Sequence, residues 1–237
     1  MQKSIFDGRT RPFPLTENTA DRILNDWRRD LPESHHSDEC LLRAHRQIDS
    51  IQKMFDNLEK MDTNKDPRKT EINHRENLHR KASDVVKRLA SETLVTKEAL
   101  QGRRYELRRE IDEAVGIAPR ANDAELRTVI RGMSQSEKLK LISEAIDKKD
   151  VELLSAFFHE SHHVALGLNA EQLLNYRKAA ETRYAPDLLQ LDAALVEADA
   201  TLNKAFSESF NLADSVKLTK QEIARIEAAE LAEKSVQ

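Results

Sequence analysis

The sequence predicts an all-α, elongated protein built from long helices, and three observations lead to that prediction. The 237 residues include only 5 Gly and 6 Pro, too few for the turns of a β-sandwich, a β-barrel or a Rossmann-type sheet. Charged residues make up 34% of the chain and aromatic residues 5%, which is typical of long helices with solvated faces. Apolar residues recur every three or four positions over long stretches, as on one face of a helix.

The first 15 residues should form an extended N-terminal arm, because Pro12 and Pro14 each fix their own φ and disfavour helix at the residue before them. A helix capped by Thr16 should follow, with Trp27 as a core residue and Pro32 at its end. The apolar residues of the arm are our candidate partner-binding residues: Ile5, Phe6, Phe13 and Leu15.

A long-helix region is expected over residues 16–119. Its second helix begins near Ser37, and the apolar stripe ends at Met61. Its third runs from about Thr70 to Val115, roughly 65–70 Å at the rise of an α-helix. Since that length greatly exceeds the mean helix, it indicates a coiled coil or a helical bundle.

The turn that separates these two helices imitates the first half of a calcium-binding loop. Asp62, Asn64 and Asp66 stand at its first, third and fifth positions. However, Pro67 stands where that loop requires Gly, and Asn73 where it requires Glu. We therefore predict a polar turn without calcium.

Residues 120–185 should form a compact cluster of four short helices. Asn122 with Glu125 and Ser134 with Glu137 fit the capping-box pattern at the first two helix starts. The third helix should begin after Asp150 and end near Gly167. The fourth should begin after Asn169.

A long C-terminal helix should occupy residues 186–237, because Pro186 suits the first turn of a helix. Thr219 with Glu222 is a further capping box that can restart this helix.

Net charge and cysteine content exclude several classes of protein. The net charge of −4 gives no overall field that would attract nucleic acid or an anionic membrane. Cys40 is the single cysteine, so no intramolecular disulfide can form. We find no apolar run resembling a signal sequence or a membrane span, and we expect a chain that is cytoplasmic on synthesis.

One motif could carry chemistry. His159, Glu160 and His163 fit the pattern H-E-x-x-H, in which two histidines on one helix face bind zinc and the glutamate acts as a general base. By this motif alone the segment resembles the zincin metalloproteases. A zinc peptidase also needs a third ligand, and neither Glu171 nor Glu181 belongs to a recognisable second motif.

Zincins also carry a β-sheet above the active helix, and the sequence shows no strand pattern. We therefore expect no catalytic residue, no metal and no cofactor. The zinc peptidase, with Glu160 as catalytic base and His159 and His163 as metal ligands, stays as the alternative.

A basic cluster on the third helix is the candidate for nucleic-acid binding: Arg103, Arg104, Arg108 and Arg109. Acidic residues stand three or four positions away, for example Glu106 and Asp112, so that ion pairs along the helix are possible. We expect a solvated, salt-bridged face and no nucleic acid, and keep a nucleic-acid-associated coiled coil as a second alternative.

Residues 146–195 have a characteristic order of apolar and turn positions, with turns at Lys149-Asp150, Leu166-Gly167-Leu168 and Ala185-Pro186 between helices. In this order the stretch resembles uncharacterised helical proteins encoded among bacteriophage virion genes. The resemblance implies a role in virion assembly and carries over no site residues.

These observations together lead to a functional hypothesis. We expect a non-enzymatic structural protein, a capsid- or tail-associated virion component that binds other protein subunits. Long helices with narrow apolar stripes bury little surface alone, so its partners should be copies of itself or other virion proteins.

Overall fold

The computed structural model describes residues 19–159 and 163–234. In these residues every regular element is a helix and no strand occurs, so the all-α prediction is confirmed. The helices are α1 Thr19–Arg29, α2 Glu39–Thr63, α3 Glu71–Val115, α4 Asp123–Gly132, α5 Gln135–Lys148, α6 Val151–Phe158, α7 His163–Leu166, α8 Ala170–Tyr184, α9 Pro186–Ser215 and α10 Lys220–Lys234, with a 3-10 turn at Glu33–His35.

The described chain forms two compact units. Unit 1 contains α1, α2, the part of α3 up to Leu100, and the chain from Val196 onward. Unit 2 contains the 3-10 turn, α3 from Gln101, the short helices α4 to α8, and α9 up to Leu195.

The core of unit 1 follows the expected apolar stripes. Trp27 of α1 is buried, as predicted. On α2 and α3 the buried residues recur at spacings of three and four, which places them on one face of each helix. They include Leu41, Ala44, Ile48, Ile51 and Leu58 of α2 and Leu78, Ala82, Val86 and Leu89 of α3. The stripe of α3 passes through Val86 rather than through its half-buried neighbour Val85.

The middle of the α3 stripe is polar and nevertheless buried. Thr93 and Thr96 are almost fully excluded from solvent. The amide of Gln47 in α2 donates from Nε2 to Thr93 Oγ1 at 3.1 Å and to the Leu89 carbonyl at 3.3 Å. Because buried polar groups need partners, this bond makes the polar positions compatible with the core of unit 1.

Unit 2 buries one apolar side chain or more from each of its larger helices. Its fully buried residues include Leu107 and Ile111 of α3, Ile130 of α4, Ile142 of α5, Phe157 of α6 and Leu191 of α9. The short helices pack on one another within unit 2, although each alone is too short to be stable in water.

Several helix ends agree with the sequence. Ser134 and Glu137 form the expected capping box at the start of α5, and the Asp150 side chain accepts from the backbone N–H groups of Glu152 and Leu153. Pro186 is the first residue of α9.

Other ends differ. Asn122 makes no side-chain cap bond; its amide donates to Glu152 instead, so the capping box predicted with Glu125 is wrong. The first helix ends at Arg29, before the expected stop at Pro32. The segment from 120 to 185 contains five helices rather than four, because the expected third helix is two separate ones, α6 and α7.

Candidate functional site

The H-E-x-x-H segment does not lie on one continuous helix. His159 caps the end of α6 with extended backbone angles (φ −71°, ψ 123°), and α7 begins at His163. The premise that helical spacing brings these two histidines onto one face is therefore wrong. Glu160, the catalytic residue of the zinc alternative, lies outside the described residues.

The C-terminal end of α6 is bound by a side chain of α8. Arg177 of α8 donates from Nη1 to the carbonyl oxygen of Phe158 at 3.0 Å. A carbonyl in the last turn of a helix has no partner in its own helix, and a guanidinium satisfies it well. Among the residues that the structure describes, no group of three or more His, Cys, Asp or Glu side chains could hold a metal ion.

The arginines of α3 are engaged with carboxylates. Arg103 pairs with Glu110 (Nη1 to Oε1, 2.6 Å), which is two turns away on the same helix. Arg104 pairs with Asp192 of α9 at 2.8 Å. The salt-bridged face that the sequence predicted is present, but part of it joins α3 to other helices of unit 2 rather than running along α3 alone.

The remaining two arginines of the cluster differ from each other. Arg108 and Arg109 are both exposed, and Arg108 donates to the buried carboxylate of Glu181 in α8. Binding of phosphate by this face would therefore compete with the carboxylates that already hold three of its arginines.

Glu181 is the centre of an ionic network in unit 2 that joins α3 to α8. Its carboxylate accepts from Arg108 and from Arg177 (Nε to Oε1, 2.8 Å), and Arg177 also pairs with Asp112 of α3. From the sequence alone, Glu181 stands out only as a candidate third zinc ligand. The i,i+4 spacing of Arg177 and Glu181 was the one local signal for this network.

Unit 1 exposes large apolar side chains on its C-terminal helices. Phe206 and Phe210 of α9 pack edge to face, with ring centroids 5.0 Å apart, and Phe210 is 51% exposed. On α10, Ile223 and Leu231 are exposed, Leu231 at 69%. Phe210, Ile223 and Leu231 therefore face solvent. The exposure of Phe210 stands out because the chain has only seven Phe in all.

The attachment of α10 in unit 1 is concentrated at its first turn. Thr219 and Glu222 form the expected capping interaction, and Arg75 of α3 pairs with Glu222 and donates to the carbonyl of Lys217. The hydrogen bonds from the backbone N–H and the hydroxyl of Thr219 hold the pKa of Glu222 below its usual value, assisted by Arg75. Beyond this turn, the described side chains are exposed apart from the half-buried Ile226.

The four predicted partner-binding residues of the arm, Ile5, Phe6, Phe13 and Leu15, lie outside the described residues. The sequence indicates these four residues because they are the apolar ones of the arm. It does not set Phe210 apart from the other apolar positions of the C-terminal helix. The sequence does contain one signal for the exposure of Phe210. It lies on the apolar stripe of the C-terminal helix, which is wider than one buried face requires.

Comparison of the chain with protein-family models, curated proteins and solved structures gave no significant match. In the described part of the chain, none of the helices combines the length and the apolar character that crossing a membrane requires.

Proposed function

We propose that this chain is a non-enzymatic structural protein that assembles with other protein subunits, in the first instance with copies of itself. The observation that carries the proposal is the exposure of Phe210 on α9 and of Ile223 and Leu231 on α10. Aromatic and large aliphatic side chains are the residue types that protein interfaces bury at their centres.

The helices that carry these residues are suited to such contacts. The two exposed aliphatic residues of α10 follow the turn that Arg75 fixes, on a helix whose remaining side chains are largely solvated. A helix of this kind gains stability when a second helix covers its apolar residues. We therefore infer that α10 and the Phe206–Phe210 pair contribute to a subunit contact.

The N-terminal arm is the second proposed contact. Ile5, Phe6, Phe13 and Leu15 supply four apolar side chains in a segment whose prolines disfavour helix. Deleting residues 1–15 should weaken assembly and leave the helix content of the remaining chain unchanged.

The setting that we propose is a bacteriophage virion. It is supported by the resemblance of residues 146–195 to helical proteins encoded among virion genes, with which the all-α architecture agrees. In such a setting the partners are further copies of the chain or other capsid- or tail-associated subunits.

Sedimentation velocity over a concentration series tests the proposal. We expect the wild-type chain to sediment as a species heavier than 27.1 kDa, and Phe210→Ser and Leu231→Glu to shift it toward the monomer. Val129→Ser is the matched control, because Val129 is exposed on α4 of unit 2. A wild-type chain that stays monomeric at every concentration would remove self-assembly from the proposal.

A further inference from the structure

We propose that the turn between α2 and α3 is a binding site for a phosphate-type oxyanion. A surface cavity of about 500 Å³ opens there, within unit 1, between the last turns of α2 and the first turns of α3. Six of the side chains that line it are relevant to the ligand: Asn57, Lys60, Met61, Lys69, His74 and Asn77. Five of these six carry nitrogen groups that can donate hydrogen bonds.

The two lysines provide the positive charge. Within the described residues, Lys60 has no ion-pair partner, whereas the neighbouring cations are engaged: Lys65 with Glu71, and Arg75 with Glu222. Lys69 lies near Asp66, the one carboxylate that lines the cavity.

The negative charge of Asp66 is balanced by Arg68, which donates two hydrogen bonds to its carboxylate. Arg68 donates from Nε to Oδ1 at 3.0 Å and from Nη2 to Oδ2 at 3.1 Å. These bonds to Arg68 lower the pKa of Asp66, so that the carboxyl stays ionised and paired at neutral pH. Arg68 makes the direct bonds to this carboxylate, and within the described residues Lys69 forms no ion pair with it.

His74 supplies the second, independent observation. Its side chain is more than nine-tenths buried, and its Nε2 has no hydrogen-bond partner. Asp62 Oδ1 lies 3.6 Å from Nε2, beyond hydrogen-bonding distance, and is the acidic group that faces the ring. A buried nitrogen without a hydrogen-bond partner is costly, and an oxyanion in the cavity would accept from it when Nε2 carries a proton.

The ligand class follows from these groups. Two ammonium groups, two side-chain amides and an imidazole nitrogen match the several acceptor oxygens of a phosphate group. The cavity is larger than inorganic phosphate alone requires, and the thioether of Met61 offers an apolar contact. Inorganic phosphate and a phosphate monoester are the two sources of this chemistry.

Proton–nitrogen NMR correlation spectra of the full chain, recorded during titration with inorganic phosphate and with phenyl phosphate, test the site. Sodium chloride at matched ionic strength and pH is the reference. We expect saturable shifts confined to residues 57–77 and a change at the His74 ring nitrogens, with the half-buried His79 ring as internal control. Tighter binding of phenyl phosphate would identify a monoester as the natural source, and equal affinity the free ion.

Lysine variants decide whether the cavity causes the shifts. Lys60→Gln and Lys69→Gln should each weaken binding by about tenfold, the effect of losing one charge-assisted hydrogen bond. Lys65→Gln is the matched control, because Lys65 belongs to the same turn, pairs with Glu71 and does not line the cavity. Shifts that chloride reproduces, an unchanged His74 ring signal, or equal effects of all three variants would overturn the proposal.

Discussion

Arg108 of α3 donates a hydrogen bond to Glu181 of α8, and the same carboxylate oxygen also accepts from Arg177 one turn earlier in α8. The Glu181 side chain is buried, whereas Arg108 is partly exposed. Because a buried carboxylate is stable only when it is paired, α8 is fixed against α3 inside unit 2 by charge as well as by apolar packing.

Glu181→Gln tests the importance of this network. The substitution keeps the shape of the side chain but removes the carboxylate that Arg108 binds and one of the two carboxylates that Arg177 binds. We expect the free energy of unfolding, measured by urea denaturation, to fall by about 1.5–3 kcal/mol. Glu144→Gln is the control in the same unit: Glu144 pairs with Lys140 and Lys148 at the surface of α5, and its loss should cost about 0.5 kcal/mol. Equal losses for the two variants would contradict the assignment.

The bond between Gln47 and Thr93 predicts non-additive substitutions in unit 1. Thr93→Val alone removes an acceptor from the buried amide and should cost about 1–2 kcal/mol of unfolding free energy. Adding Gln47→Leu replaces both polar groups by apolar ones and should return the stability close to that of the wild type. Urea denaturation of the two single variants and the double variant measures this coupling. Costs that simply add would show that the two side chains do not depend on each other.

Two glycines should respond in opposite directions to alanine. Gly102 lies inside α3 with open space around the position of a Cβ, so Gly102→Ala should stabilise the chain by about 0.5–1 kcal/mol. Gly116 has φ +91°, and a Cβ there would lie 2.5 Å from Cγ1 of Val151. Gly116→Ala should therefore destabilise unit 2 by more than about 1 kcal/mol. Thermal unfolding followed by circular dichroism compares the two, and the same sign for both would contradict the described turn.

The capping boxes predict a dependence on pH. Hydrogen bonds from Ser134 lower the pKa of Glu137, as those from Thr219 lower the pKa of Glu222. A carboxyl whose pKa is lower in the folded chain stabilises the fold above its unfolded pKa, and this contribution is lost as the pH falls through the folded value. NMR titration should find both carboxyls titrating below the usual 4.5. Ser134→Ala should raise the pKa of Glu137 only; a simultaneous rise for Glu222 would argue against local capping.

The sequence predicted those parts of the fold that depend on local chemistry. The bounds of α3, the capping box at Ser134 and the start of α9 at Pro186 follow from apolar spacing, side-chain caps and the fixed φ of proline. These signals lie within a few residues of the structure that they determine.

The sequence could not predict features that depend on distant residues. The break of the expected third helix at His159 involves Arg177, which stands 19 residues after the carbonyl that it binds. Likewise, the sequence predicts that Gln47 lies at the surface. Its burial is explained only by its partner Thr93, which stands 46 residues away. The lack of a hydrogen-bond partner at Nε2 of His74 has no sequence signature, because burial of one imidazole depends on tertiary packing.

Native mass spectrometry of the purified chain, over a dilution series and with and without a chelator, tests the central proposal most directly. We predict multimers of the 27.1 kDa chain that dissociate on dilution and whose masses the chelator leaves unchanged. A monomer at every concentration would contradict self-assembly. A chelator-sensitive increment of one zinc ion per chain would contradict the metal-free structural role and favour the alternative in which His159 and His163 bind zinc.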